Sequence, residues 1–556
     1  MAKFFIQCAC VFTVIFNCWV IVAVDDDLIK REKLFKDVNQ LAHLIESVHP
    51  DPYLSGGGKI AFHRLLQKTL RTIPAEGLTA QDFYHHIRPL VASVGDAHTW
   101  IRDPGEFTPD GIPLYLGVVE ESLYVKGVSD EFKHLLGCLL LDVQGVATKE
   151  LLVRQGKAMG ADNVYQKLRN LAGYGFFQRT YLDRLIPEIK GKGEVSVRFQ
   201  KPGGAEFVYR FSLPVNLKSN LRTAGSKITL PSTEKTSFVY EFLGESKKTV
   251  LLVIDSMTDY REAFEMWHSF GGYGLKENAA NAYKKHFGTE PVDEDVIKIL
   301  SKLPSATDVF KSLVEEMKKA GSNTLIIDLR KNDGGNSYMS NILIYYLYGR
   351  KKIFEISKNH SEIIKFSEYY FEQKTNIPLD EINKDRLVKL TENGYNFDKD
   401  WVSQETRPKE ALKRAKIKFR ESVDRMPTFK KEYDSGLFEK YYTPKNVVIL
   451  SSQDTFSSGY TMMYYLNMAG AKIVGTPSSQ AGNCYGDTTS FKLTHSKING
   501  ILSSKKFVIF PDDTERGKVL PVDYPLTYDK LVSYDFDLNS ELLYALELFG
   551  ENITRP

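Results

Sequence analysis

One stretch of the sequence, residues 446–470, constrains the fold more than any other. The apolar residues 447–450 predict a strand buried on both faces, and a polar turn follows. The pattern from Tyr460 to Met468 then predicts a helix that ends at Gly470. Because strands buried on both faces belong to parallel sheets covered by helices, we expect an α/β fold.

The turn within this stretch contains two serines that suit acyl-transfer chemistry. A serine in a tight strand-to-helix turn exposes its hydroxyl, and the first N–H groups of the helix lack intrahelical partners. We predict Ser457 as a nucleophile and the N–H of Ser458 as an oxyanion donor. The alternative is that either serine only caps the helix, because serine is a preferred N-cap residue.

A second unit of the same kind has a strand at 324–329, a Gly-Gly turn and a helix. Such repetition indicates parallel strands with helices on both faces. Gly334 and Gly335 allow a ligand to approach the backbone closely, and their N–H groups can point at an anion. The alternative is an ordinary turn. We expect Asp328 and Arg330 to hold this turn by an ion pair.

Composition limits the class of protein and its partners. A chain of 556 residues is too long for one hydrophobic core and favours about three domains. A net charge of +3 gives no reason to expect a nucleic-acid partner. Only Cys138 and Cys484 follow the N-terminal segment, too few for a zinc site or a disulfide framework. We predict no metal and no cofactor.

The N-terminus has the features of an export signal. Lys3 precedes an apolar stretch at 4–24, Ala23 offers a small residue for cleavage, and three aspartates follow at 25–27. We predict that residues 1–24 are a signal peptide and that the protein is secreted or lies in the periplasm or cell envelope, without stable membrane insertion after cleavage. Because the stretch is long for a signal, an uncleaved membrane anchor remains open.

Residues 25–105 show helical periodicity and predict a small N-terminal helical domain. This domain ends in the string VGDAHT, where His98 follows a Gly-Asp turn. We select His98 as the candidate functional histidine and expect Asp96 to fix its turn. We interpret the other histidines, including His49, as ordinary helix or turn residues.

The rest of the chain divides into a β module and a core. Short alternating runs at 106–220 predict a mainly β module with one or two helices. Part of it resembles a PDZ-type module, which binds an extended peptide by strand addition, and a purely structural β domain is the alternative. The core spans 235–548, with little pattern at 260–300. Residues 350–445 lack strand signals and predict a helical insertion, which could also cover a cleft.

Four strings occur in one order: VGDAHT, LIIDLRKNDGG, VVILSSQDTFSSGY and ERGKVLPVDYPL. Together they resemble the tail-specific (C-terminal processing) serine protease family, and most of all its tricorn-like and chlamydial-protease-like branch. The resemblance implies a crotonase-like ββα-spiral core and proteolysis by Ser457 with His98 and a late glutamate. It also implies an oxyanion hole formed by the N–H of Gly334 or Gly335 and that of Ser458.

The sequence departs from the Ser-Lys form of this family. Where that form has a lysine after glycine, this chain has Asn483. His98 is then the expected base, because an imidazole with a pKa of about 6.5 is largely neutral at working pH. A carboxylate should hold the tautomer of the ring. Glu515 is the candidate, with Asp512 and Asp513 as alternatives because its spacing to the next glycine differs by one residue from the family pattern.

These observations predict an exported serine endopeptidase that binds polypeptide in extended form and forms an acyl-enzyme at Ser457. Activity should fall on acidification with an apparent pKa between about 6 and 7. One alternative is a catalytically silent ligand-binding carrier on the same scaffold. Another is an enzyme that stays inactive until the 350–445 segment is cut or moved. The sequence does not indicate the oligomeric state.

Overall fold

The chain is described by a computed structural model that covers most of the sequence. The described residues are 27–105, 110–174, 178–213, 222–272, 274–293, 295–358, 360–365, 401–403, 408–436 and 442–550. The predicted signal peptide lies outside them, as does much of the predicted 350–445 insertion. Within these ranges, no helix combines the length and the apolar character needed to cross a bilayer.

The N-terminal domain is helical, as predicted. Its elements are α1 (Arg31–Val48), α2 (Lys59–Arg71), α3 (Ala80–Ala92) and the short strand β1 (Trp100–Ile101). Helix α1 buries Leu34, Val38, Leu41 and Ile45, which lie on one face because they recur every three or four residues. The hydroxyl of Thr79 caps α3. His98 lies in the loop between α3 and β1.

The second part of the chain is a β module built on one seven-stranded sheet. Its strands are β2 (Leu114–Val119), β3 (Ser122–Val128), β4 (Leu139–Val143), β5 (Val146–Ala147), β6 (Glu194–Gln200), β7 (Glu206–Ser212) and β8 (Arg222–Thr223). Its α-helices are α4 (Thr148–Ala158), α5 (Val164–Tyr174) and α6 (Arg179–Leu185). The main strand order is β2-β3-β4-β6-β7, with antiparallel pairing. The described module thus has more helices than the one or two predicted.

The remaining described residues form the core and its insertions. Their strands are β9 (Phe238–Leu243), β10 (Thr249–Ile254), β11 (Thr324–Asp328), β12 (Ser361–Lys365), β13 (Trp401–Ser403), β14 (Asn446–Ser451), β15 (Lys472–Gly475), β16 (Tyr485–Lys492), β17 (Asn499–Val508) and β18 (Tyr524–Pro525). Their helices are α7 (Arg261–Ser269), α8 (Leu275–Phe287), α9 (Val296–Lys302), α10 (Ala306–Ala320), α11 (Tyr338–Tyr348), α12 (Arg350–Ser357), α13 (Pro408–Asp424), α14 (Pro427–Ser435), α15 (Ser458–Met468), α16 (Thr514–Lys518), α17 (Tyr528–Ser533) and α18 (Ser540–Phe549).

A six-stranded sheet in the order β18-β15-β14-β11-β10-β9 forms the centre of this core. All its neighbouring strands are parallel except β9, which is antiparallel to β10. Alternate residues of β10 enter different hydrophobic clusters: Val250 and Leu252 pack on one face, and Leu251 and Val253 on the other. Two-sided burial explains the continuous apolar runs in the sequence. The predicted α/β class is confirmed.

A second sheet, in the order β1-β17-β12-β13 with β16 also paired to β17, joins the N-terminal domain to the core. Trp100 of β1 lies opposite Ile501 of β17 in an antiparallel pair. This pairing connects residues about four hundred positions apart and brings the His98 loop to the core. The pairing explains how an early histidine can join a site built from late residues.

Two predictions for this part of the chain are wrong. The stretch at 260–300, expected to have little pattern, contains α7, α8 and most of α9. The insertion at 350–445, expected to lack strands, contains β12 and β13, and β12 pairs with β17. Strands of three and five residues give weak local signals, and this pairing with a distant strand is not visible in a local pattern.

Candidate active site

Ser457 occupies the strained turn between β14 and α15. Its φ of 52° and ψ of −118° are unusual for a residue other than glycine. Although Ser457 stands at the N-cap position, its side chain makes no capping hydrogen bond. Simple helix capping therefore does not account for Ser457, and no hydrogen bond to another described residue occupies its hydroxyl.

Ser458 has a different role from its neighbour. Its hydroxyl donates to the carbonyl oxygen of Gly335 at 2.6 Å and lies 2.8 Å from the hydroxyl of Ser337. These contacts join the start of α15 to the Gly-Gly turn after β11. The two strand-turn-helix units recognised in the sequence thus meet at their turns.

Gly334 lies directly against the candidate nucleophile. A Cβ atom at this position would stand 2.6 Å from the Cβ and 3.0 Å from the Oγ of Ser457, and 3.2 Å from the backbone nitrogen of Ser458. The φ of Gly334 is 124°, which L side chains rarely adopt. Both space and backbone conformation therefore require glycine here.

The predicted oxyanion donors differ in their availability. The N–H of Gly334 donates to Oδ1 of Asn332 at 3.1 Å, so it is already engaged. The N–H groups of Gly335 and Ser458 donate to no acceptor within the described part of the chain. Two such N–H groups beside a serine hydroxyl can stabilise a developing oxyanion. The geometry therefore favours Gly335 and Ser458 over Gly334.

An ion-pair network holds the Gly-Gly turn. Nε and Nη2 of Arg330 donate to the two carboxylate oxygens of Asp328 at 2.9 and 2.6 Å, and Nη1 donates to Glu541 at 2.8 Å. The predicted ion pair is confirmed. Burial opposes the charge of Arg330, but the two carboxylates outweigh it and raise the pKa of Arg330 above its ordinary value.

His98 lies beside the Ser457 turn. Its ring stacks on the ring of Phe456 with centroids 4.6 Å apart, and the N–H of Phe456 donates to the carbonyl of Asn332 at 2.8 Å. Asp96 accepts the backbone N–H of His98 at 2.8 Å and the hydroxyl of Thr99 at 2.5 Å. The expected role of Asp96 in fixing this turn is confirmed.

The surroundings of His98 favour its neutral form. Burial lowers the pKa of the ring below 6.5, and the positive charge of Arg169 acts in the same direction. The negative charge of Asp96 and a hydrogen bond to the backbone of Tyr485 raise the pKa, without reversing the shift. A neutral imidazole at neutral pH can accept a proton, as a general base must.

Sequence comparison identifies the family to which these turns belong. Residues 296–499 match the model described as peptidase family S41. The chain contains a domain of peptidase family S41. The match includes the Gly-Gly turn and Ser457, whereas His98 lies outside it. No curated protein sequence matches the chain.

Solved structures show the same fold around this S41 domain. Mature CPAF complexed with lactacystin is similar at 15% identity and a TM-score of 0.50, over 93% of this chain and 99% of that chain. Mature CPAF is similar at 14% identity and a TM-score of 0.50, over 94% and 99%. The photosystem II D1 C-terminal processing protease has 11% identity and a TM-score of 0.37, over 95% of this chain and 99% of that chain.

The predicted third member of the S41 site does not reach His98. The side chain of Glu515 is 84% exposed and forms an ion pair with Lys518 at 3.1 Å. Of the two alternatives, Asp513 caps α16 and Asp512 is exposed. Nδ1 of His98 is buried without a hydrogen-bond partner among the described residues. The expectation that Glu515 orients the ring is therefore wrong for this conformation of the S41 peptidase.

Sequence reasoning missed Gln480, which supports the nucleophile. Its Oε1 accepts the backbone N–H of Ser457 at 2.6 Å, and its Nε2 donates to the sulfur of Cys484 at 3.4 Å. Gln480 occurs in the string GTPSSQAGNCYGD, three residues before Asn483. The position of a polar residue in the middle of a glycine-rich turn was the feature of the sequence that could have indicated a role for Gln480 in the site.

His49, interpreted from the sequence as a helix or turn residue, follows the end of α1 and also contacts Asp96. Its Nε2 lies 3.4 Å from a carboxylate oxygen of Asp96, and both side chains are fully buried. The N–H of Asp51 donates to Nδ1 of His49 at 3.1 Å, so a neutral ring carries its proton on the side of Asp96. His49 therefore supports the carboxylate that fixes the His98 turn.

Asp162 is a second residue that sequence reasoning missed, and it comes from the β module. One oxygen accepts the N–H of Ala97 at 2.9 Å and the other accepts the N–H of Ala481 at 3.3 Å. Burial and the negative charge of Asp96 raise the pKa of Asp162 to about 7. In Asp96, burial acts in the same direction, but His49, His98 and Ser503 outweigh it and lower the pKa.

Proposed function

We propose that this serine peptidase hydrolyses polypeptides through an acyl-enzyme at Ser457, with His98 as the general base. The stacking of His98 on Phe456 carries the proposal, because it brings the ring to the residue that precedes the nucleophile. The uncapped hydroxyl of Ser457 and its position beside Gly334 add support.

The chemistry follows from these positions. His98 takes the proton of the Ser457 hydroxyl while Oγ attacks the scissile carbonyl carbon. The negative charge that develops on the carbonyl oxygen is stabilised by the N–H groups of Gly335 and Ser458. The imidazolium then protonates the leaving amine, and water hydrolyses the acyl-enzyme by the reverse proton transfers.

Asp96 stabilises the imidazolium by its charge rather than by a bond to the ring. Its carboxylate accepts the backbone N–H of His98, and its negative charge raises the pKa of the ring. Asp96 itself remains ionised, because its own pKa is held low. A nearby ionised carboxylate favours protonation of His98 in the transition state.

The β module provides a surface on which an extended substrate can bind. Among the described strands, β2 lies at the edge of its sheet, so an added peptide strand could pair with it. Tyr115 of β2 lies close enough to the two turns of the site for their charges to affect its pKa. Burial raises the pKa of Tyr115, Asp454 raises it further, and Lys331 lowers it. We propose that a polypeptide added to β2 extends toward Ser457.

Export is also part of the proposal. It rests on the apolar N-terminal stretch at 4–24, flanked by Lys3 and the acidic residues 25–27. Expression of the full chain with its N-terminal segment, followed by N-terminal mass spectrometry of the extracellular or envelope fraction, tests it. A chain found only in the cytoplasm with residues 1–24 intact contradicts export.

Covalent labelling with a fluorophosphonate tests the catalytic proposal. We expect one labelled residue, Ser457, no labelling of Ser457→Ala, and a rate reduced by about 10²–10⁴-fold in His98→Ala. Matched controls are Ser533→Ala and His43→Ala, whose side chains are exposed on helices outside the site. Ligand uptake without any labelling would favour the carrier alternative.

A further inference from the structure

A segment of the β module lies between the two loops that hold the proposed catalytic residues. Asp162, just before α5, accepts the N–H of Ala97 with one oxygen and the N–H of Ala481 with the other. Ala97 directly precedes His98. Ala481 directly follows Gln480, which accepts the N–H of Ser457. The carboxylate of Asp162 thus joins the His98 loop to the Gln480 loop, which supports the proposed nucleophile.

Neighbours of Asp162 strengthen this connection. Nδ2 of Asn163 donates to the carbonyls of Ser478 and Lys518 at 3.2 and 3.3 Å. Arg169 on α5 forms an ion pair with Asp454 at 2.9 Å and lies 5.4 Å from the ring centre of Phe456. The position of Asp162 between the two loops is therefore fixed from both sides.

The charge of Asp162 is costly for folding. The titratable groups that face it are Asp96 on the His98 loop, Cys484 just before β16, Tyr485 on β16, and Tyr460 on α15. None of these described groups is a cation. A partly buried carboxylate beside a second carboxylate, with no cation among these described groups, destabilises the folded state. A structural role alone does not explain why this position carries a charge.

We propose that Asp162 is a positioning residue of the peptidase site, whose ionised carboxylate holds the His98 loop and the Gln480 loop at their working separation. This inference rests on the proposed function of Ser457 and His98. An ionised carboxylate accepts both N–H groups. After protonation one oxygen carries a hydrogen and no longer accepts well from an N–H, so the hydrogen bond to one of the two loops is lost.

The variant Asp162→Asn separates this role from a structural one. The amide keeps the shape but offers a single acceptor, so we expect fluorophosphonate labelling of Ser457 at pH 8 to be at least tenfold slower. Because the substitution removes a partly buried charge beside Asp96, we expect the Tm at pH 8 to be unchanged or higher. A purely structural carboxylate would show the opposite, a lower Tm with labelling reduced only in proportion to the unfolded fraction.

A carboxylate elsewhere in the same module provides the control. Asp142 accepts the N–H of Gly145 at 3.1 Å and pairs with Arg198 at 2.5 Å, outside the site. We expect Asp142→Asn to lower the Tm and to leave the labelling rate unchanged. Slower labelling in both variants at equal folded fraction would overturn the specific role of Asp162.

The pH profile of labelling provides a readout that does not depend on a variant. The raised pKa of Asp162 predicts that wild-type labelling falls on acidification near pH 7, as this carboxyl takes up a proton. In Asp162→Asn the fall of the labelling rate near pH 7 should disappear. Only the fall caused by protonation of His98, below pH 6.5, should remain. An unchanged profile or rate in Asp162→Asn overturns the inference. Absence of labelling in the wild type instead overturns the proposed function.

Discussion

The imidazole of His98 stacks on the phenyl ring of Phe456, with centroids 4.6 Å apart and ring planes inclined by 25°. Phe456 directly precedes Ser457, and its N–H is held by the carbonyl of Asn332. Strand β1 follows the His98 loop and pairs with β17 of the core. The proposed base is therefore placed by backbone pairing and by one aromatic contact.

Removal of this aromatic contact should loosen the base. A ring pair contributes about 0.5–1.5 kcal/mol beyond burial, so we expect Phe456→Ala to slow the labelling of Ser457 by about three- to tenfold. Phe456→Tyr keeps the ring and should retain most of the rate. A wild-type rate in Phe456→Ala would show that the stack does not position His98.

A side chain at Gly334 should abolish activity. In Gly334→Ala the new Cβ would meet Ser457, and a φ of 124° would add strain of about 1–3 kcal/mol. We expect undetectable labelling and a lower Tm. Gly288→Ala is the matched control, because Gly288 has a φ of 78° and open space where the Cβ would lie. It should lose stability without losing labelling.

Glu515→Gln should leave the labelling rate within about twofold of wild type. The reason is that its carboxylate is 84% exposed and paired with Lys518, away from the ring that it was expected to orient. Asp96→Asn, which weakens the turn that holds His98, should slow labelling in the same assay. A large loss in Glu515→Gln would mean that the working site differs from this conformation and would restore the sequence-based assignment.

Loss of Arg330 should destabilise the core. Arg330→Met removes the cation that pairs with buried Asp328 and partly buried Glu541, which costs about 3–5 kcal/mol. The midpoint of urea unfolding should fall accordingly. Arg420→Met, which removes a 42% exposed arginine from its ion pairs, should cost at most about 1 kcal/mol. Similar midpoints for the two variants would contradict this ranking.

The pH dependence of His98 can be isolated in the Asp162→Asn background. The neutral ring is the active form, so activity is lost as pH falls through the pKa of His98. Burial lowers this pKa most, and the charge of Arg169 lowers it further. The loss of activity on acidification should therefore occur below pH 6.5. Adding Arg169→Gln should move it upward, whereas Arg184→Gln, in a distant ion pair with Asp82, should not. A profile that stays flat on acidification over the whole range in which the protein remains folded would exclude a histidine base.

Local patterns predicted the elements of the central core well. The helix predicted from Tyr460 to Met468 spans Ser458–Met468, and α10 begins at Ala306, where Ser305 caps it, and is followed by Gly321 with a φ of 62°. These features depend on neighbours in sequence and on the chemistry of caps. Strands β12 and β13 were missed, because their pairing depends on β17 and on each other rather than on a local pattern.

The sequence by itself determined the two strand-turn-helix units, their glycine and serine turns and the choice of Ser457 and His98, because periodicity and turn chemistry are local properties. Only the tertiary structure decided which polar side chains support them: Gln480 and Asp162 rather than Glu515. These supports are side-chain bonds to the backbone of distant loops. They have no sequence period, and their partners become neighbours only after the β module, the helical domain and the core have packed together.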